Sequence, residues 1–253
     1  MKKLITTSAA GAAAIALMGQ ASAKIPAPEP EDDPGAVHSY ILLDRTGSMS
    51  SIWDEALTSV NAYAASVGEA DEGEIEGSDI ETDVTLAIFD FQDGMQFDVL
   101  REKVIAEDWT DVTNEEANPR GMTPLFDAIG RMVSLAEADD PEKAVIVIMT
   151  DGLENSSREL TRDGAKAALD RAEAKGWEVV FLGAEFARFD DAEAVGVSAS
   201  KTMAVGQGSM QDSMSALAKK SRAYGKGEEA EIIFNDEDRA IADEEGVKQR
   251  QGQ

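Results

Sequence analysis

The chain lacks or nearly lacks the residues on which many catalytic and metal centres depend. It has no cysteine, which excludes disulfides, a thiolate zinc site and a cysteine nucleophile. It has one histidine, His38, which argues against a Ser-His-Asp enzyme and against a metal centre built from several histidines. A metal or binding site in this chain is therefore expected to use oxygen ligands.

Basic residues are also scarce. The 253 residues include 23 Lys and Arg against 50 Asp and Glu, for a formal net charge of −27. Such a chain repels phosphate backbones, so we expect no nucleic-acid partner. The composition, 43% hydrophobic and 29% charged, is typical of a globular protein, and the length fits one large domain better than two.

Apolar runs long enough to cross a bilayer are missing as well. Lys2 and Lys3 precede an Ala-rich run at residues 4–18, and Ala21-Ser22-Ala23 follows. This pattern is typical of a secretory signal peptide, which we expect to be cleaved after residue 23. An N-terminal membrane anchor is the alternative, but the run is short and rich in Ala. The prediction is a periplasmic or secreted protein with no membrane span after cleavage.

Strand and helix patterns alternate along most of the remaining chain. Residues 24–35 hold four of the seven prolines and four acids, which predicts an extended linker. The run AVIVIM at 144–149 is typical of a central strand buried on both faces. Asp93-Gly94 predicts a tight turn between two strands. Further strands are predicted at 37–43, 84–91, 95–100, 177–182 and 201–205, and helices at 52–67, from Pro124, from Thr161 to Gly176, and around 210–217.

This alternation predicts an α/β fold. We expect a doubly wound, mostly parallel sheet with one antiparallel edge strand and helices on both faces, over residues 36–223. Residues 69–83 are predicted to be an acidic loop. Residues 224–253 are predicted to be an acidic tail or a short appended element, such as a strand and a helix capped at Asn235.

Three separate segments supply candidate oxygen ligands. Asp44 ends the first predicted strand, Asp151 follows the central strand, and Thr123 lies in a loop that leads into a helix. In doubly wound sheets, ligands bind beyond the carboxyl ends of the strands. Asp44, Thr46 and Ser48 alternate, so they project to one side if that stretch stays extended. Such hard oxygen ligands suit Mg²⁺ or Mn²⁺ better than Zn²⁺.

These segments resemble a known family. The stretches LLDRTGSMSSIWDEAL, RGMTPLFDAIG and VIVIMTDGLENSS contain D-x-[ST]-x-S, a Thr before Pro in a loop, and T-D-G after an apolar strand. In this order they are similar to the metal-ion-dependent adhesion site of bacterial von Willebrand factor A-type (VWA) domains. The resemblance covers roughly residues 37–205 and implies the VWA fold.

The resemblance also implies roles for individual residues. The hydroxyls of Thr46, Ser48 and Thr123 would bind a divalent cation, while Asp44 and Asp151 would hold it mainly through water. Mg²⁺ is expected first, with Mn²⁺ and Ca²⁺ as alternatives. Thr46 stands where the family more often has Ser, which keeps the hydroxyl but adds a methyl group. The implied function is an exported, non-enzymatic adhesion or interaction module that captures an Asp or Glu side chain of a partner protein.

Other interpretations stay open at this point. The same hydroxyls and carboxylates are common at helix caps and strand-end turns, so the site could be metal-free and the protein a scaffold. A metal-assisted hydrolase is a further alternative. Among neighbouring residues, Asp90 is predicted to be a strand-end residue, Asp127 to bind loop backbone, Arg45 to be exposed or to pack, and His38 and Trp53 to be structural. The oligomeric state is open.

Overall fold

The computed structural model describes residues 36–69, 82–184 and 190–252. The predicted signal peptide, the predicted linker and most of the predicted acidic loop lie outside these ranges. The described residues form β1 (His38–Asp44), α1 (Trp53–Val67), β2 (Asp83–Phe91), β3 (Met95–Ile105), α2 (Leu125–Asp139), β4 (Ala144–Thr150), α3 (Arg162–Ala174), β5 (Glu178–Ala184), α4 (Asp190–Ala194), β6 (Thr202–Val205), α5 (Met210–Gly225), α6 (Asp236–Ile241) and α7 (Glu244–Gln251).

The strands form one sheet in the order β3-β2-β1-β4-β5-β6. Every neighbouring pair is parallel except β2 and β3, which form an antiparallel hairpin. The predicted doubly wound sheet with one antiparallel edge strand is therefore confirmed. The chain builds outward from β1 to β3 and then returns to start β4 on the other side of β1. The strand order thus reverses between β1 and β4, which is where such sheets bind ligands.

Helices cover both faces of the sheet. One apolar cluster joins the sheet to α1 and α5, and a second joins it to α2 and α3. Because both faces are covered, β4 and β5 are buried along their whole length. Trp53 is buried, as predicted, and Tyr63 on the same helix is buried too. None of the helices in the described ranges is long and apolar enough to span a bilayer.

Several helix ends follow from local sequence. The Thr161 hydroxyl accepts a hydrogen bond from the Gly164 amide at the start of α3. Gly176, after the end of α3, has φ of +86°, a conformation that favours glycine. Asn235 forms a capping box with Asp238 at the start of α6. The C-terminal residues therefore form two short helices, and α7 packs beside β6.

Strand β3 extends to Ile105, five residues beyond the predicted end at 100. The additional residues include Arg101, Glu102 and Lys103, whose charges conceal the strand pattern. Charged side chains on an edge strand stay solvated, and their repulsion hinders pairing of the edge with a strand of another chain. The hairpin also contains register shifts near Leu86, and Lys103 has φ of 48°.

Candidate metal centre

The two predicted carboxylates lie side by side at the switch point of the sheet. Asp44 is the last residue of β1, and Asp151 follows the last residue of β4. Asp44 is fully buried and accepts hydrogen bonds on both oxygens, from the Thr46 amide at 2.7 Å and from the Thr150 hydroxyl at 2.5 Å. These bonds fix the orientation of the Asp44 carboxylate.

The three predicted hydroxyls converge on the same point. Thr46 Oγ1 lies 3.2 Å from Ser48 Oγ and 3.4 Å from Thr123 Oγ1. The Ser48 hydroxyl donates to Asp151 Oδ1 at 2.7 Å. Thr46 and Thr123 are buried, whereas Ser48 is exposed, so the oxygen cluster opens to solvent. The structure thus brings together all five residues singled out from the sequence.

The backbone conformation that brings the hydroxyls together is not the extended strand considered in the sequence analysis. The stretch after Asp44 does not stay extended, because Gly47–Ser51 forms a 3₁₀ helix. Thr46 keeps an extended backbone just before it, with φ of −70° and ψ of 168°. The tight helical turn, rather than strand alternation, brings the Ser48 hydroxyl beside that of Thr46.

Backbone hydrogen bonds join the loops that carry the cluster. The Gly47 amide donates to the Gly121 carbonyl at 3.2 Å, and the Arg120 amide donates to the Arg45 carbonyl at 2.7 Å. Asn155 and Thr123 form two bonds, with the Thr123 amide donating to Asn155 Oδ1 at 2.9 Å and the Asn155 amide to the Thr123 carbonyl at 3.0 Å. The relative positions of the hydroxyls are therefore held by main-chain contacts.

Gly152 provides a test of whether the cluster suits a bound ion. A Cβ atom at Gly152 would lie 3.1 Å from Thr123 Oγ1, 3.6 Å from Ser48 Oγ and 3.8 Å from Asp44 Oδ2. The missing side chain therefore leaves space that is bordered by oxygens from three segments. The donor set of neutral hydroxyls and carboxylates is of the kind that Mg²⁺ and Mn²⁺ accept. The residues present fit a small divalent cation.

Burial affects the pKa of both carboxylates. Burial raises the pKa of Asp44 to about 7, against the opposing hydrogen bonds from Thr150 and Thr46. Burial also raises the pKa of Asp151, against the hydrogen bond from Ser48. Within the described ranges neither carboxylate forms an ion pair, and no group of three or more His, Asp or Glu side chains is arranged to hold a metal. A cation at this point would favour the charged form of both carboxylates.

The sequence did not predict a network of ion pairs that involves residues beside the cluster. Arg45 is only 4% exposed and pairs with Asp90 at 2.5 Å and with Asp98 at 2.6 Å. Arg120 pairs with the other oxygen of Asp90 at 3.2 Å. Asp90 thus accepts hydrogen bonds from Arg45, on the loop that carries Thr46 and Ser48, and from Arg120, on the loop that carries Thr123. The only sequence signal was opposite charge at the ends of neighbouring strands, which does not reveal pairing.

Two other predictions about individual residues are confirmed. Asp127, in the first turn of α2, accepts hydrogen bonds from the amides of Arg158, Glu159 and Leu160 at 2.7–2.9 Å, so it binds loop backbone. His38 lies at the opposite end of β1 from the cluster and pairs with Asp83 at 2.9 Å.

No protein-family model matches the chain, and no curated protein matches it either. Among solved structures, the pilus adhesin SpaC from Lactobacillus rhamnosus GG matches with a TM-score of 0.54 and 13% identity, over 74% of this chain and 30% of that one. Manganese-loaded TRAP protein from Plasmodium vivax matches with a TM-score of 0.51 and 16% identity, over 75% and 74%. The vWF domain of the pilus tip protein Mfa5 from Porphyromonas gingivalis matches with a TM-score of 0.50 and 10% identity, over 73% and 94%.

These likenesses concern the fold. At identities of 10–16% they show that the chain has the fold of VWA domains, as the sequence motifs predicted. The chain spans half or less of several of the matching chains, including 48% of a mussel thread matrix protein and 30% of SpaC.

Proposed function

We propose that this chain, which has the fold of a VWA domain, is an interaction module that captures a carboxylate of a partner protein through a divalent cation. The observation that carries the proposal is the convergence of the Thr46, Ser48 and Thr123 hydroxyls with Asp44 and Asp151 around the space beside Gly152. Mg²⁺ is the expected ion, and Mn²⁺ and Ca²⁺ are compatible with the same oxygens.

The arrangement of the residues explains why an outside carboxylate would be favoured. The three hydroxyls carry no formal charge, and they are the groups placed to contact the ion. Asp44 is held by Thr46 and Thr150, and Asp151 by Ser48, so both carboxylates are oriented by neighbouring groups. A cation held in this way keeps much of its charge and supplies an electrophilic position for an Asp or Glu from outside. The exposed Ser48 lies on the side from which a partner would approach.

The structural neighbours support this proposal in a general way. One of them is a manganese-loaded protein, and others are a pilus adhesin and a pilus tip protein. The one histidine of the chain, His38, lies at the opposite end of β1 from the site. The site therefore has no imidazole to act as a general base, which favours binding over catalysis. Export by the predicted N-terminal signal peptide would place the module where extracellular partners are met.

Metal binding is tested by replacing single hydroxyls. We expect Ser48→Ala to weaken Mn²⁺ binding about tenfold or more, measured by the electron paramagnetic resonance signal of free Mn²⁺ during titration of the full chain. Ser50→Ala is the matched control, since Ser50 lies on the same 3₁₀ helix and is also exposed, but its hydroxyl donates to the Gly47 carbonyl instead of joining the oxygen cluster. Equal Mn²⁺ affinity in both variants and the wild type would contradict the proposed site.

Carboxylate capture is tested separately. Short peptides with a single Asp should bind the Mn²⁺-saturated protein and be released by EDTA, whereas the matching Asn peptides should not bind. Turnover of a generic phosphate ester above a metal-free blank would instead favour the metal-assisted hydrolase.

A further inference from the structure

Large apolar side chains are exposed at few places in the described ranges, and two of them border the candidate metal centre. Met122 directly precedes Thr123 and is 47% exposed, and Leu153 directly follows Gly152 and is 41% exposed. Consecutive Cα atoms are about 3.8 Å apart, so both side chains start beside the oxygen cluster. The other exposed large apolar residues are Val99, Ile233 and Ile241.

A cationic side chain lies over Phe91, the residue that pairs with Met122. The Arg158 guanidinium lies 4.5 Å from the centroid of the Phe91 ring. The backbones of Phe91 and Met122 exchange two hydrogen bonds of 2.9 Å. Phe91 therefore connects Arg158, which lies over its ring, to Met122, which pairs with its backbone. Asp127 holds the Arg158 amide at 2.8 Å, which fixes this loop. Arg158 is exposed and forms no ion pair with any residue that the structure describes.

One arginine and two apolar side chains lie on the loops around the oxygen cluster. The protein carries a formal net charge of −27, and the site itself holds Asp44 and Asp151. The surrounding loops also present Arg158, which pairs with no acidic residue that the structure describes, and two exposed apolar side chains. Exposed apolar side chains that border a polar site can add contact area for a partner. An unpaired arginine on an acidic protein complements an acidic ligand.

We infer that Met122, Leu153 and Arg158, here called the rim, select an extended acidic segment of a partner protein in which an aliphatic residue adjoins the captured Asp or Glu. This inference rests on the proposed function and specifies its partner. The aliphatic side chain covers Met122 and Leu153, and the flexible thioether of Met122 adapts to its shape. A second acidic residue in the segment pairs with Arg158. The rim should therefore bind this segment more tightly than a carboxylate without an adjoining aliphatic or second acidic residue.

The test uses the full chain saturated with Mn²⁺ and three blocked tetrapeptides, Gly-Asp-Leu-Gly, Gly-Asp-Ser-Gly and Gly-Asn-Leu-Gly. Calorimetry should show that the Asp-Leu peptide binds roughly tenfold more tightly than the Asp-Ser peptide, because burying part of a leucine side chain against apolar neighbours is worth about this factor. The Asn-Leu peptide should not bind. Replacing the first Gly of the Asp-Leu peptide with Glu should add a further gain that Arg158→Gln removes.

Matched variants assign the preference to the rim. The double variant Met122→Ser with Leu153→Ser should bind Mn²⁺ as the wild type does and bind the two Asp peptides equally. The double variant Ile233→Ser with Ile241→Ser changes apolar residues of similar exposure, 41% and 38%, that do not lie on the loops of the oxygen cluster, and it should keep the preference.

The outcomes separate the two proposals. If both Asp peptides bind equally to the wild type in Mn²⁺ and are released by EDTA, carboxylate capture stands and the rim inference is wrong. The rim inference is also wrong if the Met122 and Leu153 double variant keeps the preference. If no Asp peptide binds more tightly in Mn²⁺ than in EDTA, the proposed function itself fails, and the rim inference fails with it.

Discussion

Arg45 and Asp90 form a buried ion pair next to the residues of the candidate metal centre. Arg45 Nε lies 2.5 Å from Asp90 Oδ1, and the two side chains are 5% and 0% exposed. Arg45 directly precedes Thr46, and Asp90 also contacts Arg120 from the loop that carries Thr123. The pair therefore joins the end of β2 to both loops whose hydroxyls converge.

Removing one partner of this pair should be costly. We expect Asp90→Asn to lower the free energy of unfolding in urea by about 3 kcal/mol, because it leaves buried guanidinium charge without its main partner. Asp170→Asn is the control, since its pair with Lys166 is exposed, and it should cost less than about 0.5 kcal/mol. A small effect at Asp90 would mean that Asp98 alone satisfies Arg45.

Filling the space beside Gly152 should affect the site without unfolding the protein. In Gly152→Ala the new methyl group would meet Thr123 Oγ1 at 3.1 Å, so we expect Mn²⁺ affinity to fall about tenfold or more. Gly94→Ala is the matched control, because its Cβ would meet nothing within 4 Å. Unchanged Mn²⁺ affinity in Gly152→Ala would show that this space is not where the ion binds.

Asp127 should stabilise the loop that carries Arg158. Its two carboxylate oxygens accept hydrogen bonds from three backbone N–H groups. In an Asn side chain, one of these oxygens is replaced by an NH₂ group, which would face a backbone N–H donor. We therefore expect Asp127→Asn to lower the free energy of unfolding by about 2 kcal/mol. Asp163→Asn, in the first turn of α3, should change it by less than about 0.5 kcal/mol. Equal unfolding midpoints for the two variants would contradict this role.

Tyr224 should make the fold sensitive to alkali. Burial, together with the charge of Glu178, raises the pKa of Tyr224 to about 12 from the usual 10, and its hydroxyl donates to the Gly176 carbonyl at 2.6 Å. Between pH 10 and 12 the unfolded chain loses this proton while the folded protein keeps it, so stability falls as pH rises. Urea unfolding at pH 9, 10 and 11 should show a smaller pH slope for Tyr224→Phe than for the wild type. Identical slopes would show that this phenol is not the cause.

The N-terminal segment should be removed on export. Mass spectrometry of protein purified from the native host is expected to find a chain that begins at Lys24, because small residues stand at 21 and 23 after the apolar run. A chain that begins at Met1 and fractionates with membranes would favour the anchor instead.

Much of the fold followed from local patterns. The central strand at 144–149 was evident because an unbroken apolar run suits only a strand buried on both faces. The helix start after Thr161 followed from a capping side chain. The end of β3 was missed, because a charged edge strand carries no hydrophobic pattern to mark it.

The sequence alone determined the strand and helix order and named Asp44, Thr46, Ser48, Thr123 and Asp151 as candidate ligands, since hydroxyls and carboxylates at strand ends are visible in a one-dimensional pattern. Only the tertiary structure decided how these oxygens meet, through a 3₁₀ turn rather than an extended strand. It also decided that Arg45 pairs with Asp90 and that Met122 and Leu153 stay exposed. The Arg45–Asp90 pair, the approach of Thr123 to Thr46 and the bond from Ser48 to Asp151 join residues 45 or more positions apart, which neighbouring residues in the chain do not encode.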